Sequence, residues 1–161
     1  MRPEGQIAAQ LHTPVFPLRK DNELRIILPA KEKSVRHCLD NVKAGLSDMN
    51  LRPEEWSSLE ITLAEILNNI VEHAYAGRSD GLIELSLTRS HDGLWFSVVD
   101  HGAPMPNGEP PLGQRVNIDC PIADLPEGGF GWFLIRELAH DMVYERIDGR
   151  NELRFRMAIG R

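Results

Sequence analysis

LEITLAEILNNIVEHAY, residues 59–75, is the segment around which the predicted fold is built. Its apolar residues recur at intervals of three and four, which is typical of an amphipathic α-helix with one buried face. A second line, of polar side chains, follows the same helix at four-residue spacing: Glu65, Asn69 and His73. Such a line is either a polar seam beside a packed core or part of a binding site, and this segment alone leaves both open.

The composition is that of one ordinary globular domain, with 161 residues, 42% of them hydrophobic and 26% charged. A net charge of −6 argues against nucleic-acid binding, which normally requires a basic face. The two cysteines, Cys38 and Cys120, match neither a disulfide framework nor a metal-binding pair. The N-terminal sequence lacks the apolar core of a signal peptide, and no apolar run approaches the roughly 18 residues that span a bilayer. We therefore expect a cytoplasmic protein that binds neither nucleic acid nor membrane.

Other elements are predicted on both sides of the central helix. Strands are expected at residues 24–28, 82–88, 94–99, 142–147 and 153–159, and helices at residues 31–49, 53–75 and 131–139. Apolar residues alternate with others along residues 82–88, and Asp148-Gly149-Arg150-Asn151 is expected to form the turn of the last hairpin. Strands linked by hairpins imply a largely antiparallel sheet, and the helices must cover one of its faces. The predicted fold class is therefore α+β, a two-layer α/β sandwich with a mixed, mostly antiparallel sheet and helices on one face.

A single domain is predicted for residues 22–161. Residues 1–21 carry three prolines and little periodicity, so a loose N-terminal arm is expected there, or an edge strand at best. Residues 101–129 hold six of the eleven prolines and have no sustained periodicity. A loop of that length inside a compact domain is usually functional or disordered, and we expect a lid at about residues 104–128.

Two short motifs lie beside this loop. Asp100-His101-Gly102 stands where a predicted strand ends, a common place for a ligand contact. Gly128-Gly129-Phe130-Gly131 precedes a predicted helix, where exposed backbone N–H groups can hold phosphate oxygens. Each motif alone is weak evidence, because the first is also an ordinary turn and the second also a flexible hinge.

In this order and at these separations, the motifs resemble the nucleotide site of the GHKL ATPase superfamily, which has the Bergerat fold. Glu65 and Asn69 match its Glu-x-x-x-Asn motif, Asp100 and Gly102 match Asp-x-Gly, and Gly129-Phe130-Gly131 matches the glycine-rich end of the lid. The phrases NIVEHAY at residues 69–75 and EGGFGWFLI at residues 127–135 are similar to the anti-sigma-factor serine/threonine kinases of the RsbW and SpoIIAB type. The resemblance covers about residues 24–159.

The resemblance implies ATP and Mg²⁺ as cofactors. Asn69 would then offer Mg²⁺ an oxygen ligand, and Asp100 would accept a hydrogen bond from the adenine amino group. Gly102 would let the chain pass close to the base. Glu65, one turn before Asn69, would take the proton from an attacking hydroxyl.

The same resemblance assigns Gly129, Phe130, Gly131 and Trp132 to the nucleotide site, where backbone amides hold the phosphates. His73 would either touch phosphate or orient its neighbours, and both roles stay open. Several relatives place a threonine near the base close to the C-terminus, but residues 150–153 show no clear match, so no adenine contact is predicted there. Arg115, the only cation of the lid, is expected to approach phosphate or a protein partner.

The function that the resemblance implies is an ATP-dependent serine/threonine protein kinase acting as an anti-sigma-type regulatory factor. Its expected substrate is a STAS-type anti-anti-sigma protein, a sigma factor is a further candidate partner, and a homodimer is expected. The alternative is an ATP-binding interaction module that sequesters a partner without phosphoryl transfer. An isolated histidine-kinase-like ATPase domain is disfavoured, because no dimerisation helix with a phospho-accepting histidine precedes the fold. The retained Glu65 favours the kinase, since a binding module needs no general base.

Overall fold

A computed structural model describes residues 16–20, 22–78, 80–113 and 130–160. Its strands are β1 (Phe16–Lys20), β2 (Glu23–Pro29), β3 (Leu82–Ser90), β4 (Gly93–Asp100), β5 (His140–Ile147) and β6 (Arg150–Met157). Its helices are α1 (Glu32–Gly45), α2 (Pro53–Asn69) and α3 (Phe130–Leu138). Short 3₁₀ turns lie at Ser47–Met49 and Pro106–Gly108, and a π-helical segment, Ile70–Ala74, continues α2.

The six described strands form one sheet in the order β1-β2-β3-β4-β6-β5. Every pair of neighbours is antiparallel, which confirms the predicted α+β fold class. The edge strand β1 lies within the predicted N-terminal arm, and residues 1–15 lie outside the described residues. The β5–β6 hairpin is tighter than predicted, because Asp148 and Gly149 both have positive φ and close it in two residues.

One face of the sheet packs against the helices. Alternate residues of β3 point to this face, where Ile83, Leu85 and Leu87 are buried, as the alternation predicted. The rings of Phe96 and Phe155 stack at a centroid distance of 5.1 Å between β4 and β6. The opposite face is polar and carries cross-strand ion pairs, such as Arg154–Glu145 at 3.6 Å.

Helix α2 supplies the centre of the helical layer. Pro53 occupies its first turn, and the Glu55 carboxylate accepts a hydrogen bond from the Arg52 backbone N–H at 2.9 Å. The predicted apolar stripe is buried through Leu59, Leu63 and Leu67. The helix reaches Ala74, close to the predicted end at Tyr75, but its last turn is π-helical: the Tyr75 N–H bonds to Ile70 O at 3.0 Å, five residues back. Such wide turns are frequent at functional sites, and apolar periodicity does not reveal them.

Candidate functional site

A cavity of about 460 Å³ opens between the end of α2, the ends of the central strands and the described part of the lid. Most of its wall is apolar, with a few polar side chains among the apolar ones, as is usual for a small-molecule site. The polar residues of the wall are Asn69, His73, Asp100, Tyr144 and Asn151. Two of the sequence motifs, on the helix and at the strand end, therefore meet at one opening.

Asp100 ends β4 and is 5% exposed. Its Oδ1 accepts hydrogen bonds from the Gly102 N–H at 2.9 Å and from Asn151 Nδ2 at 2.8 Å. Within the described part of the chain, Oδ2 accepts none. The carboxylate is thus held in one orientation with its second oxygen available to a ligand.

Gly102 brings the Asp100 turn against the end of the π-helical segment. A Cβ added at Gly102 would overlap the carbonyl oxygen of Ala74, and the same oxygen accepts a hydrogen bond from Ala103 N at 2.8 Å. The glycine is required here by this close approach of two backbones, since its φ is not positive. The turn and the helix end are therefore in direct backbone contact.

Tyr75 ties the same turn to the next strand. Its buried hydroxyl donates to Leu82 O at 2.7 Å and accepts from His101 N at 2.8 Å. Burial raises the pKa of Tyr75 above its ordinary value, with a smaller effect in the same direction from the Asp100 charge. The phenol thus stays protonated and can keep donating to Leu82.

Glu65, Asn69 and His73, the predicted polar line along α2 and the π-helical segment, do not share one environment. Asn69 and His73 line the cavity, and His73 is largely exposed. Glu65 is half-buried and lies beside α3, where a Cβ added at Gly131 would overlap its Oε2. Asn69 Nδ2 is buried and has no hydrogen-bond partner among the described residues. An NH₂ group is a donor, so an acceptor oxygen of a ligand in the cavity would satisfy it.

The glycine motif is described only from the start of α3. Phe130 begins α3, Gly131 faces Glu65, and Trp132 is 9% exposed and lines the cavity. Gly129 and Arg115 lie outside the described residues. The described part of the lid is held at both ends: Met105 N donates to the Tyr144 hydroxyl at 3.0 Å, and Arg136 donates to the carbonyls of Pro110 and Pro111 at 2.6 and 2.7 Å.

Asn151 is the residue that sequence reasoning missed. It lies at the start of β6, directly opposite Asp100 in the β4–β6 register, and is 2% exposed. Its Oδ1 accepts from the Tyr144 hydroxyl and from Arg146, each at 2.7 Å. The signal available in the sequence was a polar residue just after the β-hairpin turn, but only the strand register brings it to Asp100.

The residues of the wall fit a purine nucleotide with a hard divalent cation. The Asp100 carboxylate and the Asn69 amide both line a mostly apolar cavity that is large enough for a base, and Asn69 Nδ2 has no partner among the described residues. A neutral amide oxygen suits Mg²⁺ when phosphates provide the other ligands. In the described ranges, no cluster of three or more His, Cys, Asp or Glu side chains could hold a metal ion.

A membrane-crossing helix is absent from the part of the chain that the structure describes, since none is long and apolar enough.

Comparison with known proteins agrees with this geometry. Residues 28–157 match the profile of the histidine kinase-like ATPase domain. The chain is 33% identical over 108 residues to a serine/threonine-protein kinase BtrW of Bordetella bronchiseptica, covering 62% of this chain and 72% of the relative. It is 30% identical over 117 residues to a serine-protein kinase RsbW of Halalkalibacterium halodurans, covering 71% and 70%.

A serine-protein kinase RsbW of Oceanobacillus iheyensis is 26% identical over 118 residues, which cover 71% of this chain and 73% of the relative. These matches confirm the predicted resemblance to the GHKL superfamily and to its anti-sigma-factor kinase branch. The profile match runs from the last two residues of β2 to the end of β6, and it includes all the residues that line the cavity.

Proposed function

The chain belongs to the histidine kinase-like ATPase domain family, and from this premise we propose that it is an ATP-dependent serine/threonine protein kinase. It acts as an anti-sigma-type regulatory factor, and its substrate is a STAS-type antagonist protein. Its relatives are serine/threonine-protein or serine-protein kinases, which supports phosphoryl transfer to a protein as the reaction class. The observation that carries the proposal is the mostly apolar cavity that is lined by both the Asp100 carboxylate and the Asn69 amide, whose Nδ2 has no partner among the described residues.

Asp100 recognises the base in this proposal. Its Oδ1 is occupied by two N–H donors, so its Oδ2 is the acceptor presented to the cavity. The 6-amino group of adenine is a donor and pairs with that oxygen, whereas guanine offers a carbonyl oxygen at the same position. Gly102 keeps the neighbouring backbone out of the base's space, and Trp132 contributes apolar wall.

Asn69 holds the metal at the phosphate end. Its side-chain oxygen is the proposed Mg²⁺ ligand, and Gly129 to Gly131 with the start of α3 are the proposed phosphate-binding amides. Mg²⁺, when bound, neutralises charge on the phosphates and orients them for transfer. The requirement of the reaction for Mg²⁺ is a separate part of the proposal, because a kinase fold alone does not specify the cation.

Glu65 is the proposed general base. It lies one helical turn before Asn69 and against Gly131, so it stands where the phosphate-binding motif meets α2. A carboxylate there can accept the proton of a serine hydroxyl as the phosphoryl group is transferred. The role of His73 stays open between a phosphate contact and an orienting contact.

The partners follow from the same family assignment. We propose a STAS-domain protein as the phosphate acceptor, with a sigma factor and a second copy of the chain as further partners, in the cytoplasm. The RsbW and BtrW relatives support a regulatory kinase, and the identity of its acceptor is the most specific part of the proposal.

One observation favours a second candidate, a nucleotide-gated interaction module without transfer: Glu65 is not among the described residues that line the cavity. The test for both is incubation of the purified chain with γ-labelled ATP, Mg²⁺ and a STAS protein encoded nearby. Label on a serine of the STAS protein is the expected result. Stable, nucleotide-dependent binding of that protein without label would favour the interaction module instead.

A further inference from the structure

Asn151 has used its whole hydrogen-bonding capacity within the protein. Its Nδ2 donates to Asp100 Oδ1 at 2.8 Å, to Ala103 O at 3.1 Å and to Gly102 O at 3.2 Å. Its Oδ1 accepts from the Tyr144 hydroxyl and from Arg146. An amide has two N–H bonds and two acceptor positions, so nothing is left for a bound base. Although Asn151 lines the cavity, any hydrogen bond to the base must be made by another residue.

The orientation of the Asn151 amide is determined by its neighbours. Arg146 can only donate, so its partner is an oxygen. The Tyr144 hydroxyl already accepts from Met105 N at 3.0 Å, which leaves its own proton for Asn151 Oδ1. Two donors therefore hold the oxygen of Asn151, and its NH₂ group must face Asp100.

We propose that Asn151 is a positioning residue that orients the side chain at position 100 and thereby decides which of its atoms meets the base. By donating to Oδ1 of Asp100, it leaves Oδ2 as the acceptor that is presented to the base. Because both oxygens of a carboxylate are acceptors, this orientation becomes visible as a base preference when the two side-chain atoms differ, as they do in an amide. This inference rests on the proposed adenine contact of Asp100.

The proposal can be tested by changing the chemistry of the presented atom. In Asp100→Asn, the amide oxygen is expected at the Oδ1 position, where Gly102 N and Asn151 Nδ2 still donate. The new NH₂ group then faces the cavity and favours a carbonyl acceptor. ITP differs from ATP by a carbonyl oxygen at position 6 and a proton on N1, so it is the appropriate probe.

Titration calorimetry with ATP and ITP, each with Mg²⁺, gives the ratio of the two affinities. The wild-type chain should prefer ATP, and Asp100→Asn should prefer ITP, with the ratio changing by about 10–100-fold. Partial unfolding lowers both affinities equally, so the ratio does not report a purely structural defect. Asn41→Asp, on α1 and away from the cavity, is the control that should leave the ratio unchanged.

The double variant Asp100→Asn/Asn151→Asp isolates the contribution of Asn151. The carboxylate that it introduces at position 151 is an acceptor and attracts the new NH₂ group at position 100, so the preference for ITP should disappear. Asp100→Asn/Asn151→Ser removes the orienting amide without adding charge, and the same loss is expected there. Either double variant suffices if the other does not fold.

The outcomes separate this inference from the proposed function. A wild-type chain that binds ATP and ITP equally would refute the adenine contact, and the inference with it. A wild-type chain that prefers ATP, with no reversal in Asp100→Asn, would overturn only the inference. Persistent preference for ITP in the double variants would show that Gly102 N alone orients the side chain at position 100, and would also overturn it.

Discussion

The cavity wall has a strand end, formed by Asp100, Tyr144 and Asn151, and a helix end, formed by Asn69 and His73. The two differ in how completely their polar groups are paired by hydrogen bonds within the protein. At the strand end, Asp100, Asn151, Tyr144 and the start of the lid are joined by hydrogen bonds of 2.7–3.0 Å. At the helix end, Asn69 Nδ2 is buried without a partner among the described residues. Asn69 and Asp100 line the same cavity.

The difference indicates which end is prepared before ligand arrives. The strand end is organised by sheet register, so its bonds form when the chain folds and little has to be ordered on binding. The helix end contains a group that the described part of the protein leaves unpaired, which a ligand can satisfy. We therefore expect changes at the strand end to affect stability and base choice, and changes at the helix end to affect affinity and transfer.

The largest effect is expected from Glu65→Gln at the helix end. The substitution keeps the size of the side chain but removes the basic carboxylate, so transfer to serine should fall by about 10²–10⁴-fold. ATP affinity should change little, because the carboxamide still occupies the same space. Single-turnover transfer and equilibrium titration measure the two quantities. Undiminished transfer would place the base elsewhere.

Asn69→Ala should weaken binding of ATP with Mg²⁺ by about 10–100-fold, because the proposed metal ligand is lost. The free energy of unfolding should stay constant or rise, since the variant removes a buried amide nitrogen that has no partner among the described residues. Calorimetry with and without EDTA, beside urea denaturation, tests both. Asn68→Ala, the adjacent residue, does not line the cavity and is the matched control. Equal affinities for wild type and Asn69→Ala would contradict the metal assignment.

A pair of glycine variants compares the two ends directly. In Gly102→Ala the added methyl meets the Ala74 backbone, which cannot rotate away, so unfolding should become easier by about 1–3 kcal/mol. In Gly131→Ala the methyl meets the end of the Glu65 side chain, which can move, and the higher helix propensity of alanine offsets part of the cost. In Gly131→Ala the free energy of unfolding should then change by less than about 1 kcal/mol, while the rate of phosphoryl transfer falls. Equal losses of stability in Gly102→Ala and Gly131→Ala would contradict the difference that we expect between the strand end and the helix end.

Tyr75→Phe tests the support beneath the strand end. Loss of the hydroxyl leaves Leu82 O and His101 N without this partner, which should cost about 1–3 kcal/mol. The raised pKa of Tyr75 means that the native state holds this proton more tightly than the unfolded state does. The stabilisation that the Tyr75 hydroxyl contributes is therefore complete below about pH 10, and it is lost as pH rises through the pKa of Tyr75 in the native state. Urea denaturation from about pH 7 to about pH 11 should show wild type and variant converging at the alkaline end, and a constant difference would argue against this role.

The smallest effect is expected from Arg136→Lys, which keeps the charge but cannot reproduce two hydrogen bonds from one planar group. Arg136 is exposed and donates to the carbonyls of Pro110 and Pro111, so the cost should be below about 1 kcal/mol. Limited proteolysis within residues 104–128 should be faster in the variant, by less than about tenfold. We predict that an ATP analogue with Mg²⁺ slows cleavage in both proteins. Identical cleavage with and without nucleotide would indicate a passive loop.

The elements that depend on local pattern were predictable. Apolar spacing located α2, alternation located the buried face of β3, and Asp148-Gly149 marked a hairpin, because these signals lie within a few residues of one another. The motif residues Asn69, Asp100 and Trp132 were identified by resemblance, and all three line the cavity. Their proposed roles remain predictions.

Amino-acid sequence by itself therefore determined the fold class, the order of the elements and the residue types from which a nucleotide site can be built. The tertiary structure decided that Asn151 contacts Asp100, that Tyr75 supports His101 and that the end of α2 is π-helical. Asn151 and Asp100 are separated by 51 positions, and they meet only through the β4–β6 register. A shift of that register by one residue would turn Asn151 to the opposite face of the sheet, so its place beside Asp100 follows from strand pairing and from no local pattern.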